Sequence, residues 1–246
     1  MQLVRKARNV WRGVLQTYGS EQTKKALWDR EFTGGRWACL ESTPDDCLYP
    51  YIHKYAKGGL ILDLGCGSGN TSNEIDASKY RHYTGVDISD TALQKAKEKS
   101  ARNGRTAKNE YIQGDIISYV PAGRYDLIVF RDSIVYIPRW KIGEILKRYA
   151  KYLDVGGVLI VRVANGNSKY KPYIETIRAQ FEVLETLRTD EPDAVVIVFR
   201  MPAPAPLPFD HRILLRARLL RVRRAGPQDP GADPSLAIIE HHVGIV

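Results

Sequence analysis

The feature that most constrains this chain is an apolar segment that leads directly into three closely spaced glycines. Residues 60–69 read Leu-Ile-Leu-Asp-Leu-Gly-Cys-Gly-Ser-Gly. An aliphatic run of this length is typical of a buried parallel strand, and the glycines permit a tight turn and close approach of a ligand to the backbone. The polar residues 68–71 predict the start of a helix whose first amides face the same crevice. These are the parts of a site for a nucleoside cofactor.

The spacing of the glycines indicates which kind of nucleoside fits. Gly65, Gly67 and Gly69 follow G-x-G-x-G, and position 70 is Asn. Dinucleotide sites use G-x-G-x-x-G to hold a pyrophosphate at a helix N-terminus, so a pyrophosphate is disfavoured here. Asp63 stands two residues before the first glycine, where a carboxylate repels phosphates and attracts an ammonium group. The loop therefore favours a cationic cofactor that carries an amino acid.

Two further acids end predicted strands. Residues 82–88 predict a second strand that carries Asp87, twenty-two residues beyond Gly65, at the distance expected for a carboxylate that binds both ribose hydroxyls. Residues 110–116 predict a third strand with Asp115 near its end. Its carboxylate suits an adenine amino group, and Ile88 and Ile116 suit the two faces of the ring.

At this point the chain resembles the class I S-adenosylmethionine-dependent methyltransferases. The resemblance covers about residues 27–200, and its motifs are residues 62–70, 85–89, 113–116 and 125–130. Within that family the chain is similar to compact small-molecule and glycan methyltransferases of the methyl-type-12 kind. The resemblance implies S-adenosyl-L-methionine as cofactor. The implied binding residues are Asp63, Gly65, Gly67 and Gly69 at the methionine part, Asp87 at the ribose, Asp115 at the adenine amine, and Asn70, Ile88, Ile116 and Arg131 beside them.

The rest of the pattern predicts an α/β, Rossmann-like, doubly wound sheet of seven strands. Predicted strands alternate with predicted helices, which implies right-handed crossovers and parallel pairing. The link at residues 188–193 is too short for a helical crossover, so the last strand is expected to be antiparallel. The predicted strands are residues 60–64, 82–88, 110–116, 125–131, 158–163, 181–187 and 195–200, and the predicted helices include residues 90–103, 141–153 and 171–180.

The composition divides the chain into three predicted segments. Residues 1–26 predict a basic amphipathic helix, residues 27–200 the methyltransferase domain, and residues 201–246 a disordered tail rich in Pro and Arg. The apolar stripe of the first segment leaves three alternatives: packing on its own domain as a lid, docking on a partner, or lying on an anionic membrane through residues 1–20.

Charge and cysteine content indicate which partners and which cellular compartment are expected. The net charge of +9 divides into +5 for residues 1–25, +2 for residues 26–200 and +2 for residues 201–246, so the domain itself is nearly neutral and nucleic acid is disfavoured as a partner. Three cysteines without a C-x-x-C pair, together with the basic start, predict a cytoplasmic protein, with peripheral contact at the inner face of the membrane as the alternative. No cluster of ligating residues predicts a metal site.

The sequence indicates the residues that bind the methyl acceptor less clearly than those that bind the cofactor. After the fourth predicted strand, Asp132 and Tyr136 are candidate catalytic residues and Ser133 is a candidate substrate contact. Trp28 and Trp37 are candidates for the substrate mouth, with ordinary packing as the alternative. The histidines fall away from the expected methyl group, which leaves Asp132, Tyr136 or no protein base for deprotonation.

The predicted activity is methyl transfer to a small-molecule, glycan or lipid-linked acceptor, by O- or N-methylation. The alternative is a non-catalytic adaptor that keeps the cofactor site and docks to a membrane or a partner protein. The residues leave the oligomeric state undetermined.

Overall fold

The aliphatic runs of the sequence form the strands of one seven-stranded sheet. The computed structural model describes residues 2–38, 42–190 and 192–203, with side chains from residue 9 onward in the first helix. The helices are α1 (Gln2–Tyr18), α2 (Glu21–Thr33), α3 (Tyr49–Ala56), α4 (Asn70–Glu74), α5 (Asp90–Arg102), α6 (Ile142–Ala150) and α7 (Lys171–Gln180). The strands are β1 (Leu60–Leu64), β2 (His82–Asp87), β3 (Asn109–Gln113), β4 (Tyr125–Arg131), β5 (Leu153–Ala164), β6 (Glu182–Asp190) and β7 (Asp193–Arg200). Short 3₁₀ turns lie at Ala77–Lys79, Ile134–Tyr136 and Arg139–Lys141.

The order of the strands confirms the predicted fold class. The sheet runs β3-β2-β1-β4-β5-β7-β6, and the five strands from β3 to β5 pair in parallel. β7 is antiparallel to both of its neighbours, as the short link before it predicts. The chain reverses direction across the sheet between β1 and β4, and ligands bind at such a switch point, outside the carboxyl ends of the strands.

Helices cover both faces of the sheet, because the buried strands have apolar side chains on both sides. On one face Leu62 of β1 shares a core with Leu146 of α6 and Ile177 of α7. On the other face Ile61 shares a core with Ile52 of α3. Asp63 follows on the second face and is fully buried, so an acid occupies a position where the alternation calls for an apolar residue.

Several predicted boundaries shift for local reasons. β3 ends at Gln113 rather than residue 116, because Asp115 turns the chain by accepting a hydrogen bond from the amide of Ile117 at 2.9 Å. β5 begins at Leu153, which the sequence placed at the end of a helix; Leu153 instead pairs with Tyr125 across a bulge. A sheet partner that is distant in the chain decided both the start of β5 and the end of α6.

The first helix packs through its polar side. Gln16 donates to the carboxylate of Glu31 in α2 at 3.3 Å, and the Arg12 guanidinium lies 3.4 Å from the same carboxylate. Of the described part of the apolar stripe predicted for α1, Val10, Trp11 and Val14 face outward, with Trp11 64% exposed, and Leu15 is half-buried. Among the described residues, no helix has both the length and the apolar character needed to cross a bilayer.

The proposed division into three segments remains a prediction. α2 crosses the expected boundary at residue 26, and the tail predicted for residues 201–246 lies outside the described residues apart from residues 201–203.

Candidate functional site

A cleft of about 1190 Å³, including its open mouth, lies at the carboxyl ends of β1 to β5. Its floor is formed by the loops after these strands, and its roof by α2 and the residues that follow α2. Fourteen of the fifteen predicted site residues line it, and the exception is Gly69. The fourteen are Trp28, Trp37, Asp63, Gly65, Gly67, Asn70, Asp87, Ile88, Asp115, Ile116, Arg131, Asp132, Ser133 and Tyr136.

The three glycines of the loop have different surroundings. All have a positive φ, which side chains with a Cβ rarely adopt. A Cβ at Gly65 would lie 2.4 Å from the Cβ of Ser133, and one at Gly69 would lie 2.7 Å from the Cβ of Ala96 in α5. A Cβ at Gly67 would meet only Phe32 of the roof, at 3.5 Å, among the described residues. Gly67 is therefore the glycine that presents bare backbone to the cleft, whereas Gly69 packs against a helix and does not line the cleft.

Asp63 is buried at the bottom of the cleft. The hydroxyl of Tyr83 donates to one carboxylate oxygen, and the other oxygen, Oδ1, makes no hydrogen bond of normal geometry to any described residue. Burial raises the pKa of Asp63 to about 6, against the opposing effects of the Tyr83 hydroxyl and the Arg131 charge. A buried acid with an unused acceptor is a site for a cationic or hydrogen-bond-donating ligand.

Asp87 ties the second strand to the glycine loop. Its carboxylate accepts from the amides of Gly67 and Ser89, both at 2.9 Å. Burial raises the pKa of Asp87 to about 6, and the two amides oppose that rise. Each carboxylate oxygen has further lone pairs, so the group retains acceptors for the two hydroxyls of a ribose.

The predicted adenine site is assembled as expected but already contains a cation. Asp115, Ile88 and Ile116 line one end of the cleft together. One oxygen of Asp115 accepts from the amide of Ile117, and the other forms an ion pair with the buried ammonium of Lys24 from α2. The sequence analysis did not single out Lys24, since a lysine in an amphipathic helix is ordinarily solvated.

The roof consists of aromatic side chains at helical spacing. Trp28 and Phe32 of α2 lie four residues apart with ring centroids at 6.2 Å, and Trp37 lies 5.6 Å from Trp28. The ring of Tyr136 meets Trp28 edge to face at 4.8 Å. The structure thus brings Trp28, Trp37 and Tyr136 into one aromatic box over the end of β4.

The other acceptor-side residues are already engaged within the protein. Asp132 has a φ of 56°, and its carboxylate accepts from Arg162 and from the amide of Ala164 at 2.6 Å. The hydroxyl of Ser133 donates to the carbonyl of Leu64. The Ser133 side chain makes no capping hydrogen bond to the 3₁₀ turn that follows it.

Arginines on β4 and β5 form the wall beside Asp132. Arg131 donates to Asp46 at 2.6 and 3.1 Å and to the Thr43 hydroxyl at 2.7 Å. Arg162 lies between Asp132 and Asp46, and its buried Nε has no hydrogen-bond partner in the part of the chain that the structure describes. The sequence pattern does not single out Arg162, because only strand pairing places it opposite Arg131.

The residues present fit an adenosyl cofactor that carries an amino acid. Gly67 leaves the backbone open beneath Phe32, Asp63 has an unused buried oxygen, and Asp87 has spare acceptors. A cofactor with an ammonium group and two ribose hydroxyls supplies hydrogen-bond donors that these carboxylates can accept. The fold and the cleft thus define a Rossmann-like protein that binds a nucleoside at the switch point of its sheet.

Comparison with known proteins finds similarity to methyltransferases. A family model described as "Methyltransferase domain" matches residues 61–157. The ubiquinone biosynthesis O-methyltransferase of Paraburkholderia xenovorans is 28% identical over 117 residues, which are 48% of this chain and 49% of the relative. That of Idiomarina loihiensis is 29% identical over 112 residues, 46% and 45% of the two chains. The chain therefore spans about half the length of the curated relatives it matches.

Solved structures share the fold at low identity. The N-methyltransferase NodS of Bradyrhizobium japonicum, in complex with S-adenosyl-L-homocysteine, matches with a TM-score of 0.58 at 17% identity. The match covers 72% of this chain and 98% of the NodS chain. The [4+2]-cyclase SpnF has a TM-score of 0.60 at 14% identity, with 75% and 98% covered. The matched segment is therefore similar to a methyltransferase domain, the solved structures share the fold, and S-adenosylmethionine is the cofactor that these matches support.

Proposed function

We propose that this protein transfers the methyl group of S-adenosylmethionine to a small-molecule, glycan or lipid-linked acceptor, by O- or N-methylation. The observation that carries the proposal is the convergence of Asp63, Asp87 and Asp115 on one cleft floored by the bare backbone of Gly67. The relatives described as O-methyltransferases and the structural neighbour described as an N-methyltransferase support the reaction class.

The proposed roles in cofactor binding follow from the donors and acceptors at each strand end. Asp63 holds the ammonium group through its free oxygen, and Asp87 accepts from the ribose hydroxyls. Asp115 accepts from the adenine amine, with Ile88 and Ile116 against the ring. Gly65, Asn70 and Arg131 complete the wall around the methionine part. When bound, S-adenosylmethionine supplies a methyl group on a sulfonium, which needs a nucleophile aligned with it and shielded from water.

The surroundings of the two predicted catalytic residues favour transfer without a protein base. Arg162 and the Ala164 amide already bind the Asp132 carboxylate. Burial raises the pKa of Tyr136, so its phenol keeps its proton at neutral pH. An amine, or a hydroxyl that is ionised in solution, reacts in such a site without a protein base, and the aromatic box positions it.

The decisive experiment measures binding and turnover on the same preparation. Calorimetry with S-adenosylhomocysteine tests the cofactor site, and incubation with methyl-labelled S-adenosylmethionine and a panel of phenols, amines, sugars and lipid-linked sugars tests transfer. We expect micromolar binding and label in at least one acceptor class. Absence of binding to the folded protein refutes the proposal, whereas binding without labelling of any acceptor in the panel supports the adaptor alternative.

The exposed side of α1 supports a peripheral contact with an anionic membrane as part of the proposal. Val10, Trp11 and Val14 face outward, and Tyr18 stacks on Trp140 with centroids 5.6 Å apart. Trp140 is 72% exposed and stands between Arg139 and Lys141. Aromatic rings flanked by cations are typical of surfaces that lie in the headgroup region.

Point variants test this contact without disturbing the roof. We expect Trp11→Ala and Trp140→Ala each to reduce sedimentation with vesicles of anionic lipid and to leave the affinity for S-adenosylhomocysteine unchanged. The control is Trp11→Phe, which keeps an aromatic ring at the same place. Equal sedimentation of all variants, or none by the parent protein, refutes the membrane contact and leaves partner docking as the use of this face.

A further inference from the structure

The ammonium of Lys24 occupies the acceptor at which the adenine amine is expected to bind. Lys24 and Asp115 form an ion pair in which both side chains are only 9% exposed. The other oxygen of Asp115 is already bound by the Ile117 amide at 2.9 Å. Lys24 therefore holds the carboxylate oxygen that remains for a ligand.

Lys24 is held in the cleft by the attachment of α2. Lys24, Trp28 and Phe32 follow one another at four-residue spacing, so one side of α2 faces the cleft along its length. Asp29, on an adjacent side, accepts from the Ser89 hydroxyl at 2.7 Å and from the Thr91 amide at 3.1 Å, which joins α2 to the start of α5.

The geometry points to an internal competitor: we propose that Lys24 competes with the adenine ring of the cofactor for Asp115, so that the ion pair blocks the adenine end of the cleft in the free protein and must break before an adenine binds there. This inference rests on the proposed function, because it takes the cleft to be an adenosyl site. Asp115 keeps further lone pairs, but Lys24 lines the cleft beside it, so its ammonium occupies the space from which an adenine amine approaches the carboxylate. The apparent affinity for the cofactor is reduced by the fraction of molecules in which the pair is open.

The pair also gives the roof a means of regulation. α2 contacts α1 through Glu31, which lies between Arg12 and Gln16 of α1. Any contact that draws α1 and α2 away from the sheet removes Lys24 from Asp115 and raises the affinity for the cofactor. By reciprocity, cofactor binding displaces Lys24 and favours the displaced position of α2.

The experiment is calorimetric titration of S-adenosylhomocysteine into the full chain and its Lys24 variants. Lys24→Met keeps the length of the side chain and removes the ammonium, and we expect the affinity to rise about tenfold. Lys24→Arg keeps a cation that pairs with Asp115, and we expect the affinity to stay within about threefold of that of the parent chain. Arg30→Met, which removes an exposed cation of the same helix that does not line the cleft, is the matched control and should change the affinity by less than about twofold.

A double-mutant cycle separates competition from a structural effect of Lys24. In an Asp115→Asn background the ion pair is absent, so we expect Lys24→Met to change the affinity by less than about twofold. If Lys24→Met does not fold, Lys24→Gln takes its place, with circular dichroism as the check. Weaker or unchanged binding by the folded Lys24 variant overturns the inference. Failure of the parent chain and of every variant to bind refutes the adenosyl site as well, and so refutes the proposed function.

Discussion

The two halves of the cleft are built in different ways. The cofactor half consists of Asp63, Gly67, Asp87 and Asp115, at or beyond the ends of β1, β2 and β3, where short motifs place each group directly after a strand. The acceptor half combines distant segments: Trp28, Trp37, Asp132, Tyr136 and Arg162. Asp63 and Asp87 of the first half keep acceptors for a ligand, and Asp115 pairs with Lys24. Asp132 of the second half is bound by an arginine and a backbone amide of its own protein.

This difference separates a proposed cofactor half that is defined by directional acceptors from an acceptor half that is defined mainly by shape. Directional acceptors in the first half favour one ligand chemistry. The aromatic box in the second half offers area and flat surfaces, which are tolerant of the ligand that they contact. We therefore expect variants in the cofactor half to reduce cofactor affinity strongly and variants in the acceptor half to leave it nearly unchanged.

The largest expected effect is that of Gly67→Val. A branched side chain there fills the space between the loop and Phe32 and strains a residue with a φ of 53°, so affinity for S-adenosylhomocysteine should fall by more than about 100-fold in calorimetry. Gly104→Val is the control, since Gly104 also has a positive φ, of 65°, and no described atom lies within 4 Å of an added Cβ. Equal loss of binding in both variants would mean that backbone strain, and not a filled cleft, causes the loss of affinity.

Asp87→Ala should follow in size. It removes the acceptor for the ribose hydroxyls, each worth about 1.5–3 kcal/mol when bound to a charged group, so affinity should fall at least about tenfold. Asp90→Ala is the matched control, because Asp90 lies three residues away with a side chain that is 64% exposed. Unchanged affinity in the Asp87 variant would show that the ribose does not bind at Asp87.

Cofactor binding should also depend on pH. Burial raises the pKa of both Asp63 and Asp87 to about 6, so both carboxyls take up protons as the pH falls through that value. The ligand needs the ionised forms, and affinity for S-adenosylhomocysteine should therefore fall by at least about tenfold from about pH 7.5 to about pH 5. Asp63→Asn should bind more weakly at neutral pH and show a shallower profile. A flat profile for the parent chain contradicts the assignment of these acids to the cofactor.

The same pKa values carry a consequence for stability in the free protein. A carboxyl whose pKa is raised on folding binds protons more tightly in the folded state than in the unfolded state. The free energy of unfolding contributed by each acid therefore decreases as the pH rises from about 4 to the folded-state value of about 6.

The smallest expected effect on cofactor binding comes from Asp132→Asn. Asn tolerates the positive φ of this position, and the substitution removes the charge that pairs with Arg162. The affinity for S-adenosylhomocysteine should stay within about twofold, while the free energy of unfolding should fall by about 1–2 kcal/mol in a denaturant titration. A tenfold loss of affinity would mean that the two halves are not separate.

Local pattern was sufficient for the strand ends that form the cofactor half. β1 and β4 have the predicted bounds, and the antiparallel β7 follows from the short link before it. The glycine loop was correctly placed, but its three glycines were taken as one group. Which glycine faces the cleft depends on Ser133 and Ala96, whose positions are set by a neighbouring strand and a helix.

Pattern was not sufficient where the site depends on pairs of residues far apart in the chain. Lys24 lies 91 residues from Asp115 and Asp46 lies 85 residues from Arg131, and none of the four segments carries a signal for its partner. The apolar stripe of α1 predicted a helix, yet its polar side makes the internal contact with Glu31. Periodicity reports that one side of a helix differs from the other, and packing decides which side is covered.

The sequence by itself determined the parallel sheet, its switch point and the acids beside it, because strand, turn and helix signals are local and a parallel sheet brings successive strand ends to one edge. Only the tertiary structure decided which polar groups remain free for a ligand. Whether a carboxylate is available depends on the cations and amides that fold against it: Asp63 keeps an unused oxygen, Asp132 is held by Arg162, and Asp115 is held by Lys24.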